Sequence, residues 1–116
     1  MEAGQALSSP LGRITISSDA IAQIVAETAA ECYGVVGLKG SLRGRLGRAR
    51  GRPPGIEVAR DDEAVTVHLH VVVEYGLNLA EVASSVRNRV GYEVERLTGL
   101  PVRAVEVHVD DVRTGK

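Results

Sequence analysis

The chain contains no tryptophan and no phenylalanine, and its aromatic side chains are the three tyrosines Tyr33, Tyr75 and Tyr92. A base-stacking platform of the RNA-recognition type, which needs aromatic rings on its strands, is therefore excluded. The core must instead be built from Val, Ile, Leu and Ala. Cysteine is limited to Cys32, which excludes an internal disulfide and a cysteine-based metal cage and suits a reducing compartment. No stretch approaches the ~18 apolar residues of a membrane span, and the first residues lack the basic and apolar regions of a signal peptide. The expectation is a cytoplasmic protein, peripheral at most to the inner side of the membrane.

What is present is a globular composition in 116 residues, 44% hydrophobic and 25% charged, with a net charge of −1. That length fits one domain, which should bury roughly 65% of its unfolded surface. The near-neutral sum conceals an uneven distribution. Residues 39–55 carry Lys39, Arg43, Arg45, Arg48, Arg50 and Arg52 and no acid, so a segment of +6 sits in a body of −7.

Apolar periodicity divides the chain into elements. Residues 1–12 read as a flexible arm, and Ile14 and Ile16 alternate with polar neighbours in a first strand, Arg13 to Ser17. Ser17 or Ser18 then caps a helix whose apolar stripe is Ile21, Ile24, Val25, Thr28, Ala29 and Cys32, ending at Gly34. Residues 39–55, rich in Gly-Arg pairs and closed by Pro53 and Pro54, have no period and read as a mobile loop. Ile56 to Arg60 and Ala64 to Glu74 form a hairpin around an acidic turn. A second helix starts at Asn78, with Glu81 completing a capping box and Leu77 placed to staple against Val82. Its stripe is Leu79, Val82, Ala83, Val86, Val90, Val94 and Leu97, and it stops at Gly99. A last strand runs from Val102 to about Val109, and residues 113–116 form a tail.

The order β-α-β-β-α-β predicts an α+β fold in two layers, with two helices on one face of a four-stranded, mainly antiparallel sheet. A ferredoxin-like arrangement is the leading expectation, within one domain spanning 13–112.

Several segments together resemble the alkaline shock protein family, the envelope stress response proteins of Gram-positive bacteria. They are Gly12-Arg13-Ile14-Thr15-Ile16-Ser17, Tyr33-Gly34-Val35-Val36-Gly37-Leu38, Glu74-Tyr75-Gly76-Leu77-Asn78-Leu79 with Glu81-Val82-Ala83, and Leu97-Thr98-Gly99-Leu100-Pro101-Val102 leading to Val105-Glu106-Val107-His108-Val109. The chain departs from the family in carrying Glu106 where Asn is usual, and in the arginine content of its loop. The resemblance implies a non-catalytic protein tied to cell-envelope homeostasis, in some members held at the membrane by a separate anchoring protein. It transfers no catalytic residue.

The residues themselves assign none either. Cys32 falls on an apolar stripe, where a packed thiol is expected, and no nucleophile, base and orienting group can be assembled. No phosphate-binding glycine motif precedes a helix, and no cofactor is expected. Two sets of residues remain as candidates. Arg43, Arg45, Arg48, Arg50 and Arg52 could contact phosphates of nucleic acid or anionic lipid, or a protein partner. Thr66, His68, His70, Val72, Glu106 and His108 face outward on their strands and offer a surface for a protein partner or a second copy. Zinc is not expected at the three histidines. In a ferredoxin-like sheet the first strand lies between their two strands and puts His108 about 10 Å from His68 and His70.

Overall fold

The computed structural model describes residues 4–9, 12–38, 53–61 and 64–114. Its elements are β1 (Gly4–Ser9), β2 (Gly12–Ser17), α1 (Ser18–Ala30), β3 (Val35–Leu38), β4 (Ile56–Arg60), β5 (Val65–Glu74), α2 (Leu79–Thr98) and β6 (Val102–Arg113). Within the segment read as an arm, β1 pairs antiparallel with β2 in a two-stranded sheet of their own.

Both helices begin at the polar residues that the sequence marks. The Ser17 side chain accepts a hydrogen bond from the Ala20 backbone N–H at 3.0 Å, and Asn78 Oδ1 accepts from that of Glu81 at 3.1 Å, so each satisfies a donor left over by the first turn. Gly99, at φ +79°, closes α2 by donating to Glu95 O. The buried side of α1 is Ile21, Ala22, Val25, Thr28 and Ala29; that of α2 is Val82, Val86, Val90, Val94 and Thr98. Leu79 and Leu97, expected on the α2 stripe, are exposed. Thr98 turns inward instead, and its hydroxyl is satisfied by donating to Val94 O at 2.6 Å and accepting from Leu100 N at 3.1 Å.

The main sheet is organised around β5. Its inward residues Val65, Val67, Leu69, Val71 and Val73 are all fully buried, and they join α1, α2, Ile56, Leu100 and Val105 in one aliphatic core. Both helices thus cover one face, as expected from the one-sided stripes, and among the described residues no helix covers the other.

The strand order differs from the ferredoxin-like expectation. No strand lies between β5 and β6; they pair directly and in parallel along the whole of β5, from Val65↔Val102 to Glu74↔Arg113. A parallel pair needs a crossover, and α2 supplies it. The alternation of apolar residues fixed which face of each strand is buried but not which strand stands beside which. On its other edge β5 meets two strands end to end. β3 pairs with its C-terminal part (Leu38↔Val71) and β4 with its N-terminal part (Ile56↔Leu69), both antiparallel. Gly55 O accepts from His70 N, which closes the gap. β3 and β4 are therefore two halves of one edge strand, with Leu38 and Gly55 at neighbouring positions along β5. Arg60 on β4 ties this edge to the start of α1, donating to Ile16 O at 2.7 Å and to Ser18 Oγ at 3.4 Å.

Candidate functional site

The direct pairing of β5 with β6 changes the geometry of the open face. In the parallel register His68 stands opposite Glu106 and His70 opposite His108. All three histidines of the chain consequently meet in one patch. The His70 and His108 rings lie 4.6 Å apart and 15° from parallel, and those of His68 and His108 lie 6.1 Å apart at 16°. His108 is thus the middle ring, and the separation of about 10 Å expected from the ferredoxin-like order does not occur.

A bulge completes the patch. The register steps from Val71↔Val109 to Val72↔Asp111, so Asp110 is the extra residue on β6. Both carboxylate oxygens of Asp110 lie 3.1 Å from His70 Nδ1, which orients that ring. On the neighbouring strands His68 is half-buried while Glu106 and His108 are exposed. Imidazole nitrogens of His68 and His108 and a Glu106 oxygen lie within 4.8 Å of one another.

The other members of the expected partner face divide. Thr66 is partly exposed, but Val72 is only 4% exposed and offers nothing to a partner. Arg43, Arg45, Arg48, Arg50 and Arg52 lie outside the described residues, although the points where their segment joins the sheet, Leu38 and Gly55, are placed beside Val71 and His70. Cys32 is buried, donates to Thr28 O at 3.4 Å, and has its thiol pKa raised chiefly by desolvation, the environment of a packed, unreactive thiol.

Besides Asp110, sequence reasoning missed a shallow hollow of about 250 Å³ between the end of α1 and the start of α2, lined by Tyr33, Leu77, Asn78, Glu81, Val82 and Ser85. Gly34, at φ +90°, packs against two of these residues, and an added Cβ there would come within 2.9 Å of both Leu77 Cδ1 and Val82 Cγ2. The signal for it is the pair of turn motifs around Gly34 and Asn78, which also mark the end of α1 and the start of α2.

The described residues thus form a two-layer α+β fold, and the fold alone does not assign a function. Comparison with known proteins is more specific. Residues 6–114 match the model of the alkaline shock protein 23 family, described as having a cell envelope-related function, and the chain belongs to that family. It is 33% identical over 107 residues to the uncharacterized protein YloU of Bacillus subtilis, covering 88% of this chain and 89% of YloU. It is 29% identical over 107 residues to a stress response regulator gls24 homolog of Streptococcus pyogenes serotype M3, covering 89% of this chain and 60% of that protein. No solved structure matches. Among the described residues no helix is long and apolar enough to cross a membrane.

Proposed function

We propose that the protein acts in the response of the cell envelope to stress, without catalysing a reaction, through contacts with a protein partner that include one able to hold it at the membrane. The observation that carries this reading is the family match, which runs from residue 6 to residue 114 and so spans both helices and the whole main sheet. The stress-response name borne by the Streptococcus relative supports it. The open face of β5 and β6, with Thr66, His68, His70, Glu106 and His108, is the surface offered to such a partner or to a second copy. Proximity labelling in the host cell tests the reading. Envelope proteins should dominate the labelled set, and recovery of ribosomal or nucleic-acid factors without them would overturn it.

A second reading is favoured by one observation, the concentration of six cations in residues 39–55 against a body of −7. Here the loop binds phosphate groups of nucleic acid or of an anionic lipid surface. The two readings part on salt. Phosphate-driven nucleic-acid binding weakens with a logarithmic slope of about −0.9 per phosphate contacted, whereas apolar protein contacts do not follow that slope.

A further inference from the structure

We infer that the open face of the sheet carries a surface site for a divalent transition-metal ion of the Zn²⁺ class, with His68, His108 and Glu106 as its ligands. Three observations converge on it. The chain has three histidines, and the fold collects all of them on two adjacent strands at consecutive positions of one face. Two imidazole nitrogens and a carboxylate oxygen lie within 4.8 Å of one another. Two nitrogens and one oxygen are a donor set that suits Zn²⁺ and its neighbours, and hard cations such as Mg²⁺ favour oxygen alone.

The distances require only a small adjustment. With Zn–N and Zn–O bonds of about 2.0–2.2 Å, tetrahedral ligand atoms stand about 3.4 Å apart. Donors up to 4.8 Å apart must therefore close by about 1.4 Å at most, within reach of χ rotation of the exposed Glu106 and His108 toward the half-buried His68. Three protein ligands leave the fourth position to water or to a group from another molecule. The backbone under the site is held firmly, because β5 is hydrogen-bonded on both edges and packs its other face into the core.

His70 and Asp110 have a different part. Asp110 holds His70 Nδ1, and the His70 ring lies nearly parallel to that of His108 at 4.6 Å. The His70 ring, held in place by Asp110, backs one face of His108 by stacking and so restricts the rotation of its plane. His70 is accordingly a positioning residue.

Isothermal titration of the tag-free full-length protein with ZnCl₂, with MgCl₂ as control, tests the assignment, and far-UV circular dichroism melts check that each variant folds. Zn²⁺ should bind saturably with one ion per chain, and Mg²⁺ should give no heat. Glu106→Gln and His108→Ala should each weaken binding by more than about tenfold, and His70→Phe, which keeps a flat ring beside His108, by less than about tenfold. Because Glu106 is exposed, its variant keeps the test open should a histidine variant fail to fold. The inference is overturned by the absence of Zn²⁺ heat, by equal response to Mg²⁺, by Zn²⁺ binding that survives unchanged in both Glu106→Gln and His108→Ala, or by complete loss in His70→Phe.

Discussion

Replacing residues 41–54 by Gly-Ser should leave the fold intact and slightly stabilise it. The reason lies in the edge strand. Leu38 faces Val71, Gly55 bonds His70, and Ile56 faces Leu69, so the two ends of the excursion sit one residue step apart along β5. The native chain closes 16 residues, 39 to 54, across that step, and the variant closes four. Each halving of a loop recovers about 0.6 kcal/mol of closure entropy, so two halvings give about 1.2 kcal/mol. For a domain of this size that raises Tm by about 4–8 °C. Removing five arginines takes the net charge from −1 to −6, and the added repulsion among exposed acids is screened at physiological salt, where the Debye length is about 8 Å. Thermal melts by far-UV circular dichroism read the result directly. A non-cooperative melt, or a Tm lowered by more than about 5 °C, would refute the view that β3 and β4 are halves of one strand. The same variant should lose any binding to anionic vesicles or nucleic acid that the native protein has.

Three further outcomes follow from particular contacts. Val86→Ala, at a fully buried position on α2, should cost about 1–3 kcal/mol in urea melts and Arg87→Ala, beside it in solvent, less than about 0.5 kcal/mol; the reverse ranking would mean the helix face is misassigned. Gly34→Ala should cost more than about 2 kcal/mol, since it combines a left-handed backbone with a Cβ 2.9 Å from Leu77 and Val82, and a near-neutral melt would contradict that geometry. Burial raises the Cys32 pKa in the folded state, so its contribution is complete at neutral pH and stability should fall as pH rises past the unfolded thiol's value of about 8.5; alkylation by iodoacetamide at pH 7.5 should be slow in the native protein and fast in urea.

Local features of the fold were legible in the sequence because each rests on one or two residues. Ser17, Asn78 and Gly99 mark helix ends by their own hydrogen-bonding or backbone chemistry, and the β5 alternation states which side chains enter the core. Strand adjacency was not legible, because alternation is the same whether a strand's neighbour is β2 or β6. That single ambiguity governed the candidate site. With β2 placed in the middle, the histidines looked scattered; with β6 against β5, His68, His70 and His108 become neighbours. The bulge that brings Asp110 to His70 likewise has no signature in the residues around it. Leu79 and Leu97 continue the α2 stripe by spacing alone, but the buried line runs at every fourth residue through Val82, Val86, Val90, Val94 and Thr98, and both leucines fall to the side of it in solvent.

The crossover from β5 through α2 to β6 also bears on how the chain reaches its native state. These three elements occupy one unbroken stretch, 65–113, and supply most of the fully buried side chains. Their contacts can form without closing the arginine-rich excursion or docking the N-terminal hairpin, both of which demand more distant encounters. The transition state for folding should therefore be polarised toward the C-terminal half. Truncating Val67, Leu69 or Val90 should slow refolding, whereas truncating Ile21 or Val25 should mainly speed unfolding. Chevron plots with φ-values distributed the other way would place the first organised contacts around α1 instead.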